Sequence, residues 1–197
     1  MTLKIYLLDT NYFPVNILLN SPCLNEIDKL DLNRYKIEQV YNEHIASTYL
    51  KRKYIGEYHI DDNGKPLSNK CYFNISHSHG VVVLVVDSVP VGVDIELIRP
   101  VEDDLKRFVT SEEEYIYIKD EQSFYEIWTS KESLLKAVGT GLKDDLKTTP
   151  GLPIKGIKQY KDNIYYINNI KYQNYIISTS RKGDQNYEIE IVMEELL

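Results

Sequence analysis

Apolar positions recur along this chain in two alternating rhythms, one helical and one with the period of a strand. Met1 to Asp9 reads as a first strand. Residues 31–54 then place Leu32, Tyr35, Val40, Tyr41, Ile45, Tyr49 and Leu50 at roughly helical spacing, with Asp31 as the candidate cap. After the turn-forming stretch Asp61-Asp62-Asn63-Gly64-Lys65-Pro66, three runs rich in β-branched residues follow, at 71–75, 81–87 and 91–97. Gly and Pro signals separate these runs, which are expected to form one small antiparallel sheet. Arg99-Pro100 marks a boundary, because proline disfavours helix at the residue before it. Beyond it the pattern predicts a helix at about 103–109 and a short helix to Ile118, opened by the capping-box signal Thr110-Ser111-Glu112-Glu113-Glu114. A longer helix over 123–138 carries Phe124, Ile127, Trp128, Leu134, Leu135 and Val138, and Gly139 stands where a terminating glycine belongs. Tyrosine-rich strands are expected at about 154–160, 164–168, 171–179 and 186–193. The order of helix followed by strands occurs twice. The expected fold is α+β, with two similar lobes at 1–99 and 100–197, each a main helix on a small antiparallel sheet.

Composition narrows this picture. A chain of 197 residues with 43% hydrophobic content can bury a sizeable core. A net charge of −7 disfavours nucleic acid as a partner, since such binding rests on a lysine- and arginine-rich face. Cys23 and Cys71 have neither disulfide-framework nor zinc-site spacing, which suits a reduced, cytoplasmic setting. The first residues lack a basic leader, and the apolar run from Gly80 to Val86 is far too short to span a bilayer, so no membrane association is expected.

Two stretches carry candidate chemistry. In Gly92-Val93-Asp94-Ile95-Glu96 the acids stand two apart on a strand, which puts both on one face about 7 Å apart along the chain. A hard cation such as magnesium takes oxygen ligands of this kind. In Trp128-Thr129-Ser130-Lys131-Glu132-Ser133-Leu134-Leu135-Lys136, Glu132 and Lys136 share a helical face, and Trp128 lies one turn earlier as a packing anchor. Upstream, Asn74-Ile75-Ser76-His77-Ser78 offers hydroxyl and imidazole groups suited to phosphate oxygens. Each signal alone has a plainer alternative: a solvated strand face, an exposed i, i+4 ion pair, a histidine satisfied in a core or turn. A serine-hydrolase reading fails for want of a Gly-x-Ser-x-Gly elbow.

Taken jointly, Gly64-Lys65-Pro66, the block from Phe73 to Glu96, and Phe124 to Leu142 with its Trp-x-x-Lys-Glu-x-x-x-Lys core and Gly139-x-Gly141-Leu142 resemble 4′-phosphopantetheinyl transferases of the Sfp type. The resemblance covers roughly residues 30–145. It implies the fold of that family, two lobes in pseudo-two-fold arrangement with the site in the cleft between them, acting as a monomer. It further implies transfer of the phosphopantetheine arm of coenzyme A to a serine of an apo acyl or peptidyl carrier protein, with release of adenosine 3′,5′-bisphosphate. By motif position, Asp94, Glu96 and Glu132 would hold Mg2+, or Mn2+ in its place, and Lys65, Ser76, His77, Lys131 and Lys136 would contact coenzyme A. Glu132, with Lys136 facing the diphosphate, would be catalytic. Asn42 or Glu43 stands near a place where the family carries an arginine for the 3′-phosphate. Lys51-Arg52-Lys53 reads as a solvated helix end or as a cluster meeting an acidic carrier. The pathway served, whether fatty-acid, polyketide or nonribosomal-peptide synthesis, is not implied.

Overall fold

The structure, a computed structural model, describes residues 1–32, 34–61, 65–139 and 146–195. Strand β1 (Thr2–Asp9) is followed by α1 (Val15–Leu19), α2 (Glu26–Leu32) and α3 (Glu38–Tyr54). A short hairpin of β2 (His59–Ile60) and β3 (Pro66–Leu67) leads to β4 (Tyr72–Ser78), β5 (Val81–Asp87) and β6 (Val91–Leu97). Then come α4 (Asp103–Val109), α5 (Glu112–Tyr117) and α6 (Glu121–Val138), and after them β7 (Gly156–Tyr160), β8 (Asn163–Tyr172), β9 (Tyr175–Lys182) and β10 (Glu188–Met193). The capping box at Ser111 and Glu114 is formed as the sequence predicts, and Gly139 ends α6 in the left-handed region at φ +86°.

Two local expectations need correction. The single helix expected over 31–54 is divided: Asp31 sits in the last turn of α2, and α3 begins at Glu38 after an extended Ile37 with no side-chain cap. Leu32 and Tyr35 continue the apolar spacing across the break, which is why the pattern hides it. The break expected between two strands near 168–171 is also absent, because β8 runs on to Tyr172 and the chain reverses at Gln173-Asn174.

The strands form two main sheets, ordered β10-β1-β5-β4 and β6-β9-β8-β7. The expected sheet of β4, β5 and β6 is therefore not formed: β4 pairs antiparallel with β5, but β6 pairs with β9. The turn between β5 and β6 explains the switch. Asp87 Oδ1 accepts from the Ser88 and Val89 N–H groups, while its other oxygen accepts from Arg181 Nε of β9 at 2.7 Å. That buried ion pair hands β6 to the second sheet.

Connectivity repeats. In each half a first strand (β1 or β6) is followed by helices and then a hairpin (β4–β5 or β8–β9), and the first strand pairs with the hairpin's second strand. The repeat turns over at Ser88–Pro90, so segment 91–97 is paired in the second sheet and β10 returns to lie parallel on β1 in the first. The sheets share one apolar interior of Leu3, Ile5 and Leu7, Val81, Val83 and Val85, Val93, Ile95, Ile177 and Tyr187. Helices cover the outer faces: Leu8, Val82, Leu84 and Phe73 pack beneath α1 to α3, and Ile176 packs beneath α6. Among the described residues no helix is long and apolar enough to cross a membrane.

Candidate active site

Alternation along β6 decides where its acids point. Val93 and Ile95 enter the shared interior, so Asp94 and Glu96 stand on the opposite face, the one α6 covers. On β4 the same rule sends Phe73 toward α3 and turns Asn74, Ser76 and Ser78 toward β6. Edge strands β4 and β6 are not paired through their backbones. Side chains bridge them: Asn74 Oδ1 accepts from Val93 N–H at 3.1 Å, and Ser78 Oγ accepts from Leu97 N–H at 3.3 Å. Between these rungs Ser76 Oγ donates to Asp94 Oδ1 at 2.8 Å, and Ser78 Oγ donates to Glu96 Oε2 at 2.8 Å.

Helix α6 brings the other half of the site. Asp120 caps its first turn, accepting from Ser123 N–H in a reciprocal capping box. Along the face toward the sheet run Thr129, Ser133 and Ala137, four apart and small. Thr129 Oγ1 meets Ser178 Oγ at 2.6 Å, and Ser133 Oγ meets Ser180 Oγ at 2.7 Å. At the far end Ala137 lies over Gly92, where a Cβ would stand 2.0 Å from Ser133 O and 2.5 Å from Ala137 N. Only a strand residue without a side chain admits the helix this closely. The close approach carries Glu132 and Lys136 to the acids of β6.

Lys136 Nζ donates to Asp94 Oδ1 at 2.6 Å and to Ser76 Oγ at 2.9 Å, so that one carboxylate oxygen takes both partners. Asp94 Oδ2 and Glu132 Oε1 are buried with no hydrogen-bond partner. Burial first, and then the charges of Asp94 and Glu96, push the Glu132 carboxyl up to about 7, against the pull of Lys136. Glu96 is likewise raised, by burial and by Asp94, with the Ser78 hydrogen bond acting the other way. Glu96 and Glu132 thus both feel the charge of Asp94. Among the described residues, however, no three acidic, imidazole or thiol groups already stand in the geometry that would hold a metal ion, so the expected cage is not preformed. Lys136 and Ser76 take Oδ1 of Asp94 and Ser78 takes Oε2 of Glu96, which leaves Asp94 Oδ2 and Glu132 Oε1 unpartnered.

Comparison with known proteins gives this constellation a family. The model of the 4′-phosphopantetheinyl transferase superfamily matches residues 90–192, more than half of the chain. The chain belongs to the 4′-phosphopantetheinyl transferase superfamily. It is 38% identical over 89 residues to the 4′-phosphopantetheinyl transferase gsp of Aneurinibacillus migulanus, covering 42% of this chain and 38% of that protein. It is 42% identical over 77 residues to the 4′-phosphopantetheinyl transferase Sfp of Bacillus subtilis (strain 168), covering 36% and 34%. With the 4′-phosphopantetheinyl transferase HetI of Nostoc it shares 30% over 118 residues, half of each chain. Each of these matches spans half or less of the relative. The matched family region holds Asp94, Glu96, Glu132 and Lys136, whereas Lys65, Ser76 and His77 precede it.

Within this phosphopantetheinyl transferase family member the remaining predicted residues fall in different places. His77 is on the α3 side of β4, its Nδ1 2.9 Å from Glu43 Oε2. Glu43 also accepts from Gly80 N–H at 2.7 Å and from Gln39. Burial would raise the Glu43 carboxyl, but hydrogen bonds from His77, Gly80 and Gln39, with the charge of His77, bring it down to about 2. His77 borders a cavity of about 480 Å3 that also contains Arg34, Tyr35, His44, Lys51 and Tyr58. There Arg34 lies over the Tyr35 ring, and Tyr35 stacks on His44 with centroids 3.8 Å apart. Burial and the neighbouring charges of His77, Lys51 and Arg34 lower the His44 pKa. Lys65 Nζ donates to Lys136 O at 3.1 Å near the carboxyl end of α6, and burial lowers its pKa. Its motif partner Gly64, like Gly141 and Leu142, lies outside the described residues.

Lys131 departs from expectation. It is wholly buried, paired with Glu114 at 2.6 Å and donating to Val109 O and Leu146 O. It holds helices together and does not face the site. Lys158 joins it from β7, its Nζ donating to Ser130 Oγ and to the Pro150 and Gly151 carbonyls, with burial drawing its pKa down to about 7. In the Lys51-Arg52-Lys53 cluster, Arg52 is bound to Asp28 and the exposed Lys53 to Glu194. The sequence marks Asn74 to Ser78 as a phosphate-facing stretch, but not the bridging of β4 to β6 by Asn74 and Ser78 or the reason for Gly92. The alternation of polar residues along 74–78 was the available signal for the bridging.

Proposed function

We propose that the protein transfers the 4′-phosphopantetheine group of coenzyme A to a serine hydroxyl of an apo acyl or peptidyl carrier protein, releasing adenosine 3′,5′-bisphosphate. Family membership supports the reaction class. The observation that carries the site assignment is the pair of buried carboxylate oxygens without partners, Asp94 Oδ2 and Glu132 Oε1, on acids whose charges repel. Buried polar atoms in folded proteins are nearly always satisfied, so such a pair fits a bound cation. Asp94, Glu96 and Glu132 would hold Mg2+, with Mn2+ as a substitute. Bound there, the ion would supply positive charge to the diphosphate oxygens.

The protein's own groups do the rest. The attacking serine oxygen forms a bond to the phosphorus that bears pantetheine, the bond from that phosphorus to the bridging oxygen breaks, and the leaving phosphate gains negative charge. Lys136, fixed by Asp94 and Ser76, places an ammonium against that charge. Glu132, a carboxylate beside the cation and the attacking hydroxyl, would accept the serine proton. The cavity at His77 has the aromatic and cationic lining that suits the adenine nucleotide end, and the Glu43 contact leaves His77 Nε2 for a phosphate oxygen. Lys65, next to Pro66 of the cavity lining, reaches the Lys136 carbonyl of α6. The repeated connectivity supports a two-lobed, pseudo-two-fold molecule joined near Ser88–Pro90, with the site at the β4–β6 junction and a monomer as the working unit.

The test is incubation with coenzyme A, Mg2+ and a panel of apo carriers, read by intact mass. A carrier gaining one phosphopantetheine, with adenosine 3′,5′-bisphosphate in equal amount, is the expected result. Coenzyme A cleavage without any carrier adduct would replace this reading with a hydrolase.

A further inference from the structure

At the junction, Ser78 Oγ is met by three groups, Glu96, Leu97 N–H and His79. A hydroxyl has one proton and two lone pairs. Glu96 Oε2, at 2.8 Å, belongs to a carboxylate and takes the proton, while Leu97 N–H donates to Ser78 Oγ at 3.3 Å. His79 Nδ1 also lies 3.0 Å from Ser78 Oγ, its part as donor or acceptor set by its tautomer. His79 itself is held in the tight β4–β5 turn, at φ +48° beside Gly80 at φ +87°. Tyr175 of β9 donates to the His79 carbonyl at 3.1 Å. Glu96 is thus gripped through Ser78 from three directions: its own strand, the hairpin turn, and the second sheet behind it.

The three rungs divide the labour. Asn74 sets the register of β6 against β4 through a backbone N–H and touches no acid. Ser76 and Lys136 share Asp94 Oδ1, so Asp94 keeps a second restraint if Ser76 is lost. Among the described residues, Glu96 has Ser78 as its hydrogen-bond partner and Lys136 and Arg99 only as nearby charges. From this asymmetry we propose that Ser78 is a positioning residue, whose hydroxyl orients Glu96 for the divalent cation while the His79-Gly80 turn holds Ser78 in place. The proposal rests on the cation site assigned above.

Mn2+ titration in the presence of coenzyme A and without carrier, read by the electron paramagnetic resonance of free Mn2+, tests it independently of turnover. Ser78→Ala is expected to weaken Mn2+ binding about tenfold, the scale on which losing an orienting partner of a metal ligand acts. Ser78→Thr, which keeps the hydroxyl, should bind within about twofold of the parent. In a Glu96→Gln background the Ser78→Ala loss should vanish, because Ser78 would act only through Glu96. If Ser78→Ala does not fold, the same cycle is read with Ser78→Cys, a weaker donor of similar size. Unchanged Mn2+ affinity in the Ser78 variant, or losses that add in the double variant, would overturn the proposal while leaving the cation site intact. Failure of the parent protein to bind Mn2+ at all would instead remove the cation site on which the proposal stands.

Discussion

At Glu132, chemistry and stability pull in opposite directions. Its buried Oε1 has no partner, and its charge faces Asp94 and Glu96. Glu132→Gln removes the charge and keeps the shape. Transfer should fall by about 10^2-fold to 10^4-fold, the range ascribed to a positioned proton acceptor. In chelator-treated protein the same variant should melt no lower than the parent, because like-charge repulsion is relieved. Parallel activity and melting measurements check this, and a variant with full turnover would remove Glu132 from the reaction. Glu43 shows the reverse case. Its carboxyl lies at about 2 against an ordinary 4.5, so the folded state favours the ionised form. The stability this contributes is fully present above about pH 4.5 and is lost as pH falls toward 2. Compared with Glu43→Gln, the parent should be more stable by about 2 kcal/mol at pH 6, with the gap closing over that acid window in urea melts. An unchanged gap at low pH would mean that ionisation of Glu43 is not the source.

At the level of elements, the site depends on how near α6 comes to β6, and Gly92 sets that distance. A methyl group there would stand 2.0 Å from a helix carbonyl oxygen that has no freedom to move alone. Gly92→Ala is expected to cost about 2 to 4 kcal/mol in urea unfolding, through helix displacement, and to reduce transfer in whatever fraction remains folded. A variant of parental stability would show that the helix can rise without loss. Periodicity and end signals make α4, α5 and α6 legible in the sequence, since capping boxes and a terminal glycine act within a few residues. The acids Asp94 and Glu96 were readable for the same reason, as strand alternation is local. Lys131 was not. It stands next to Glu132 in sequence, but adjacent helix positions point about 100° apart, and one faces the acids while the other is buried against Glu114. A motif names both residues and is silent on direction. The break between α2 and α3 escaped because apolar spacing persisted through the linking turn at Leu32 and Tyr35.

At the scale of the whole molecule, what the amino-acid pattern could not show is which strands are partners. A boundary at residues 99 and 100 looks natural along the chain, yet it separates β6 from β9 and β1 from β10. Parallel pairing of β1 with β10 joins segments almost at opposite ends of the sequence, and no local signal specifies it. The joint is reinforced beyond the strand: Glu194 N–H donates to Leu7 O, and its buried carboxylate accepts from Lys53 Nζ at 2.6 Å and from the Tyr54 hydroxyl of α3. A fragment of residues 1–99 would therefore carry β6 without its sheet, expose the edge of β1, and leave Val93 and Ile95 without the β9 residues that cover them. Such a fragment should show no cooperative thermal transition by circular dichroism, because the apolar interior is common to both sheets. Mixing it with residues 100–197 should restore the transition, since each piece then regains its missing strand. Were 1–99 to melt cooperatively by itself, the shared interior and the β10 clasp would be dispensable. The placement of Asp94 and Glu96 would then be a property of the first half alone, set by the Asn74, Ser76 and Ser78 rungs without help from β9.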